Sequence, residues 1–310
     1  MNKIFGTLCA TALMLSLSVT GCSDTKKAAS DNKAEEPAAQ AAPAEASTGT
    51  AAAPAEAASS VEGTKTITLA NGASVTWIQD NDGERLMPRT LFSDASDSLY
   101  NSLNMPEGIP ASVSTFLAKV DGQYILFDAG LGAFGGQMMK RFEALGMNPD
   151  SIGLIYLTHF HVDHIAGLIA KDESGNDMKA FKNATVYASK VEYDAWMNDI
   201  PKNDLQKNVM GIYKDNLHLF AFGDTLPHGV LALDAVGHTP GHTAFQLSNL
   251  LIVGDLMHGY ALQKDHPDIN SNYDMDKPKS AESRKRIMQY ASDNKLLMAG
   301  MHLPPPGFAE

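Results

Sequence analysis

Apolar and polar residues alternate with period two in Thr66-Ile-Thr-Leu69 and again in Ala73-Ser-Val-Thr-Trp-Ile78, with an Asn71-Gly72 pair between them. That pattern predicts two strands joined by a tight turn. Val113 to Val120 and Tyr124 to Phe127, mostly apolar runs on either side of Asp121-Gly122, predict a second hairpin. Between the hairpins, Asp80 to Pro110 is polar with isolated apolar anchors (Leu91, Phe92, Leu99, Met105) and reads as irregular. Met138, Met139, Phe142 and Leu145 recur at helical spacing within Gly135 to Gly146, a stripe suited to core packing. Leu154 to Leu157 is a short, wholly apolar strand, and a helical stretch is expected from about Asp163. Strands are then expected at Ala184 to Ala188, Leu217 to Phe222, Val230 to Val236, Thr243 to Leu247, Leu250 to Val253 and Leu296 to Ala299. Helices are expected near Ser189 to Met197 and over Asp276 to Asp293, the latter with Pro278 in its first turn. Hairpins mixed with helices, without regular βαβ alternation, suit two sheets packed together with helices outside.

The chain has 310 residues, and the N-terminal part has a different character. Lys3 precedes an apolar stretch from Ile4 to Val19 that is too short and interrupted for a membrane span, and the small residues Val19-Thr20-Gly21 lead into Cys22. This resembles a bacterial lipoprotein signal of residues 1–22, cleaved before a cysteine that becomes acylated, so lipid on Cys22 would hold the protein to a membrane. Ser23 stands where lipoproteins retained in the inner membrane carry Asp, which leans the expected location towards the outer membrane, facing the periplasm. Residues 23–63 are mostly Ala, Pro, Glu, Lys and Ser, too poor in large apolar side chains to offset the entropy of ordering, and read as a disordered tether. Residues 64–310 amount to one domain.

Both cysteines, Cys9 and Cys22, lie in the signal region, so the mature domain has no disulfide, thiolate ligand or cysteine nucleophile. A formal net charge of -12 argues against nucleic acid as a partner and says little about a small-molecule substrate.

The densest chemistry is His159-x-His161-x-Asp163-His164, directly after the apolar strand. Alternate residues of an extended segment point the same way, so His159 and His161 can reach one metal, while a turn into helix swings Asp163 and His164 to a neighbouring point. Imidazole and carboxylate donors suit zinc, and also manganese, iron or cobalt.

This motif resembles the signature of the metallo-β-lactamase superfamily, and the rest of that pattern follows in order. Asp128 matches the early aspartate that braces the ligand loop, and His238, in Gly237-His-Thr-Pro-Gly-His242, matches the third histidine of one metal. Asp255, in Val253-Gly-Asp, matches the bridging carboxylate, and His302 the final histidine of the second metal. The resemblance implies an α+β fold, a four-layer αββα sandwich of two mixed β-sheets with helices on the outer faces. It implies one divalent ion on His159, His161 and His238, a second on Asp163, His164 and His302, and Asp255 bridging. His242 reads as a residue holding the loop rather than a ligand. His258, three residues beyond Asp255, takes the place of the tyrosine of acyl-homoserine lactonases and resembles the methyl parathion hydrolase-like subgroup. The stretch from Ala299 to Gly307 supports that subgroup, with Pro305 replacing a phenylalanine that could line the pocket. Relatives usually continue beyond the position of Glu310 into a further strand, which would leave His302 near an unpaired end. Relatives also often dimerise.

The implied activity is hydrolytic: a metal-bridging hydroxide attacks a lactone, ester or phosphotriester, and Asp255 or Asp163 passes a proton to the leaving group. Lactones and esters are favoured as the commoner natural compounds. Phe116, Phe160, Met257 and Tyr260 are candidates for the pocket wall, and His218, His228 and His266 for surface or structural roles. An aspartate at 255 disfavours the cysteine-bearing β-lactamases, and a histidine at 161 the flavodiiron proteins. The intact second donor set disfavours a one-iron sulfur dioxygenase. A glyoxalase II-like thioesterase and a non-catalytic metal-binding lipoprotein remain as alternatives.

Overall fold

The computed structural model describes residues 61–309. The signal segment, Cys22 and the tether as far as residue 60 lie outside the described residues. In chain order, the first half comprises β1 (Thr64–Thr68), β2 (Ser74–Gln79), β3 (Arg85–Met87), α1 (Asp97–Ser102), β4 (Ile109–Ala111), β5 (Ser114–Val120), β6 (Gln123–Phe127), α2 (Met138–Ala144), β7 (Ile152–Tyr156), α3 (Val162–Ile165), β8 (Ile169–Lys171) and β9 (Asp177–Lys179). The second half comprises β10 (Thr185–Ser189), α4 (Lys190–Asp194), α5 (Asp204–Tyr213), β11 (Leu217–Phe220), β12 (Thr225–Leu226), β13 (Val230–Asp234), β14 (Thr243–Leu247), β15 (Leu250–Ile252), α6 (Tyr260–Gln263), α7 (Lys277–Asp293), β16 (Leu297–Ala299) and β17 (Phe308–Ala309).

Two sheets carry the fold: one in the order β1-β2-β5-β6-β7-β10-β11, the other β12-β13-β14-β15-β16-β17. Both are mixed. The pairs β6–β7, β7–β10 and β10–β11 are parallel, as is β15–β16, while the hairpins are antiparallel.

Strand periodicity builds four layers. Along β5 and β6, Phe116, Ala118, Ile125 and Phe127 face the second sheet and meet Val230, Ala232, Phe245, Leu250 and Ile252. Leu117 and Leu126, one position out of phase, face the other way and pack under α2 and α5 with Phe142, Val209 and Met210. On the second sheet, Ala244 and Leu251 point outward against Ile287 and Ala291 of α7. The result is the αββα sandwich of two mixed sheets.

The segment expected to be irregular, Asp80 to Pro110, contains β3 and α1 and runs into β4. Strands β3 and β4 pair antiparallel and pack Met87, Ile109 and Ala111 against Leu91, Phe92, Tyr100 and Leu262. The helical stretch from Asp163 is only α3 and one following 3-10 turn. Helix α5 and the β8–β9 hairpin were not anticipated. Beyond His302, β17 pairs with β16, so the ligand loop is closed by a strand pair and not left at a loose end.

Candidate metal centre

Asp128 and every proposed metal ligand follow the C-terminal end of a strand. Asp128 follows β6, His159 to His164 follow β7, His238 follows β13, Asp255 follows β15 and His302 follows β16. Crevices outside the carboxyl ends of strands are where such sheets place ligands. Local chemistry then aims each side chain. Asp128 sits at φ 59°, a left-handed position that aspartate tolerates, and is fully buried. Its carboxylate accepts from Thr158 N (2.8 Å), Thr158 Oγ1 (2.7 Å) and His164 Nδ1 (2.7 Å). It thereby braces the loop.

These bonds fix which ring nitrogen carries the proton. Thr158 Oγ1 donates to Asp128, so it accepts from His159 Nδ1 (3.0 Å) and leaves a lone pair on His159 Nε2. His238 Nδ1 donates to Asp274 Oδ1 (3.0 Å), His164 Nδ1 to Asp128, and His302 Nδ1 to the Ser112 carbonyl (2.8 Å). Each then presents a bare Nε2 to the centre. His159 Nε2 and His238 Nε2 face each other at 3.2 Å, and His161 Nδ1 lies 3.0 Å and 2.9 Å from them.

Lone pairs held this close need a cation between them. The donors fall into two groups: His159, His161, His238 and Asp255, then Asp163, His164 and His302. Asp255 lies between them, with Oδ1 3.1 Å from His164 Nε2, and Oδ2 3.3 Å from His238 Nε2 and 3.1 Å from His302 Nε2. His164 Nε2 and Asp255 Oδ1 are buried without a hydrogen-bond partner, as atoms directed at a metal ion are. The residues therefore fit a pair of divalent ions.

Burial opposes charge on His302, but Asp255 and Asp163 outweigh it and push that imidazole up to about 10. Burial and the neighbouring His238 hold His161 down at about 3. Burial would raise Asp255, yet His164, His302 and His159 hold it well below the usual carboxylate range.

His242 is not aimed at the centre. Its Nδ1 donates to the Ala235 carbonyl (2.9 Å) and its Nε2 accepts from the Asp255 N–H (3.0 Å), which uses both ring nitrogens. A Cβ at Gly254, where φ is 55°, would run into that ring, so glycine is needed beside Asp255. His242→Ala should lower kcat/KM about 10- to 100-fold, the range for removing a group that orients a ligand. His238→Ala should cost more in the same assay, and the reverse order would mean that the wrong histidine has been taken as the ligand.

Three buried charged residues escaped sequence reading. Asp274 accepts from His238 and, through Oδ2, from Arg284 Nη2 (3.3 Å). Fully buried Arg284 also donates to the carbonyls of Leu256 (2.8 Å) and Pro267 (2.6 Å), tying down the segment that carries His258 and Tyr273. Glu192, on α4, accepts from Phe160 N between two site histidines, and from Thr239 Oγ1 and Gly241 N just past His238.

Above the centre lies a cavity of about 380 Å³ lined by Arg85, Met87, Leu131, His161, Val162, Asp163, Asp255, His258, Tyr273 and His302. His258 Nε2 is 3.2 Å from Asp255 Oδ2, and its ring stacks on His302 and lies 5.5 Å from that of Tyr273. None of Phe116, Phe160, Met257 and Tyr260 lines this cavity; they belong to the packed layers, because the alternation that brings His159 and His161 together turns Phe160 away. Pro305 faces a separate groove with Gln79 and Arg141, so the phenylalanine it replaces would not have met this cavity. His218 packs against Tyr187, away from the cluster.

Fold and donor set are those of a metal-dependent hydrolase. The sequence profile of the metallo-beta-lactamase superfamily matches residues 108–300. The chain belongs to that superfamily. Over 76 residues it is 36% identical to ribonuclease Z of Pyrococcus abyssi (24% of this chain, 23% of that one), and over 125 residues 30% identical to hydroxyacylglutathione hydrolase of Aeromonas salmonicida (39% of each). The chain thus spans well under half the length of the curated relatives it matches. Among solved structures it is similar to AbOPH, a hydrolase in the beta-lactamase superfamily, at a TM-score of 0.70 and 25% identity over 81% of this chain and 94% of that one. It is equally similar to AidC, a dizinc quorum-quenching lactonase in complex with a product, at a TM-score of 0.70 and 25% identity over 79% and 92%.

Proposed function

We propose that the protein is a binuclear metal-dependent hydrolase that cleaves a lactone or ester, with one ion on His159, His161 and His238, a second on Asp163, His164 and His302, and Asp255 shared. The observation that carries this is the set of lone pairs, each fixed by a hydrogen bond on the far side of its ring, converging on one carboxylate. Two divalent ions held there supply a polarising Lewis acid and a water of lowered pKa.

The chain's own residues do the rest. Asp255, 2% exposed, sits between the donor groups and is shielded from solvent. Asp163 is the better placed of the two carboxylates to carry a proton to the leaving group, since both line the cavity but its side chain is 24% exposed against 2% for Asp255. Met87, Leu131, Val162 and Tyr273 offer an apolar wall for the rest of the substrate. The similarity to AidC supports a lactone. That to hydroxyacylglutathione hydrolase supports a thioester as the second reading.

The test is kcat/KM of the protein loaded with zinc or manganese on an acyl lactone, an aryl ester, a phosphotriester and a glutathione thioester, each with a chelator control. Turnover of the lactone or ester that vanishes with chelator is expected. Turnover of the thioester alone would move the assignment to the second reading, and two bound metals with no turnover of any class would count against the hydrolase.

We also propose that acylated Cys22 anchors the protein in the cell envelope at the outer membrane, facing the periplasm. The charge, apolar run and small-residue site in the sequence support it. Cys22→Ala should release the protein from the membrane fraction, and an unchanged distribution would remove the anchor.

A further inference from the structure

We propose that Arg85 selects a substrate carrying a carboxylate at the end remote from the bond that is cleaved. The proposal rests on the reading of the centre as a hydrolase site and adds the substrate class. On β3, Arg85 and Met87 are alternate residues and both line the cavity, while Leu86 between them points away and is 49% exposed. Arg85 is the one arginine or lysine among the lining residues. Of the four other arginines among the described residues, three have carboxylate partners (Arg89 with Asp97, Arg284 with Asp274 and Arg286 with Asp234), and Arg141, which donates to the Glu62 carbonyl, lies in a separate groove. Among the described residues, none pairs with Arg85. Its guanidinium is thus a cation at the mouth of the cavity with its donors uncommitted.

The hairpin that carries it is fixed relative to the centre. Arg85 pairs with Ala111 across β3–β4, and Met87, Ile109 and Ala111 are buried in one apolar cluster. The next residue, Ser112, holds His302 through its carbonyl and donates Oγ–H to the Leu303 carbonyl (2.6 Å). A ligand with one end on the metal donors and the other on Arg85 would lie along Met87, Leu131, Val162 and Tyr273. The substrate class that matches is an ester or lactone with an apolar middle and an anionic end. A single guanidinium in a chain of net charge -12 suits a monoanion, hence a carboxylate rather than a phosphate dianion.

The experiment compares nitrophenyl hydrogen glutarate with its neutral methyl ester on the metal-loaded protein. The wild type should prefer the anionic ester, and Arg85→Gln should lower the anionic-to-neutral ratio of kcat/KM roughly 10-fold, mostly through KM, as loss of a charge-assisted hydrogen bond would. Arg85→Lys should keep part of the preference. An equal ratio in the wild type and Arg85→Gln overturns the proposal. Glutarate binding by calorimetry separates the two readings. If neither ester turns over but glutarate binds the wild type about 10-fold more tightly than Arg85→Gln, the anion site stands and the hydrolase reading fails. Equal glutarate binding to both proteins overturns the anion site whatever the turnover.

Discussion

Asp255→Asn is expected to lower kcat/KM by about 100-fold or more, because losing a group that only orients a ligand already costs about 10- to 100-fold. The substitution keeps the shape of the side chain and removes its charge. Among the described residues, Asp255 is the one carboxylate within 3.3 Å of histidines from both donor groups. An amide offers one oxygen, so either orientation turns an NH2 towards a bare imidazole nitrogen that a cation should occupy. The effect should also appear without any substrate. Zinc raises the melting temperature of a protein that binds it only when folded, so the wild type should gain more on zinc addition than Asp255→Asn, and metal analysis should find fewer than two ions per chain in the variant. A variant that keeps both ions and full activity would remove Asp255 from its bridging place.

Legibility of the site followed sequence distance. His159, His161, Asp163 and His164 stand within six residues of one another directly after an apolar strand, so their density alone pointed to metal chemistry. Asp128, His238, Asp255 and His302 are single residues at strand ends, placed by a family pattern that their own neighbours do not reveal. Glu192 and Asp274 carried no signal at all. Each is an isolated acidic residue in a segment of mixed polar and apolar character, and all the partners of the Glu192 carboxylate but Trp196 lie 32, 47 and 49 residues away, so nothing nearby in sequence marks it. The fold shows the same division. Longer strands such as β5 were legible because both faces are buried, which leaves a mostly apolar run bounded by turn residues. Strands β3 and β4 were not, because three-residue strands, one of them containing Pro110, are too short for a period to show and proline argues against a strand. The hairpin that carries Arg85 over the centre was therefore hidden, although it supplies part of the cavity wall.

Glu192→Gln is expected to destabilise the domain by about 2–4 kcal/mol and to weaken retention of the ion on His159, His161 and His238. The carboxylate has four donors and no spare oxygen. Oε1 accepts from Phe160 N (2.9 Å) and Trp196 Nε1 (2.7 Å), while Oε2 accepts from Thr239 Oγ1 (2.8 Å) and Gly241 N (2.8 Å). Burial leaves the carboxyl above its ordinary value, and the four donors oppose that shift because each suits the ionised form. Glutamine fills the same volume but must aim an NH2 at one donor pair. Turned towards Thr239 it can give a proton to a reoriented hydroxyl, yet Gly241 N is left facing another donor; turned towards Phe160 and Trp196 it finds no acceptor. A buried donor left unpaired costs about 1–3 kcal/mol, more beside a charged group. In a domain of this size each kcal/mol moves the melting temperature by about 2–4 °C, so a fall of roughly 5–15 °C should be seen in the metal-free protein, where no ligand compensates. The consequence for metal follows from connectivity. Glu192 clamps the backbone between His159 and His161 to the loop just past His238, so loosening it lets the three imidazoles drift apart. The Asp163, His164 and His302 group hangs on Asp128 and Ser112 instead and should keep its ion. Titration with a coloured chelator should then release one ion from the variant well before the other. Equal release of both, or a melting temperature unchanged from the wild type, would show that Glu192 is not the strut between the two loops.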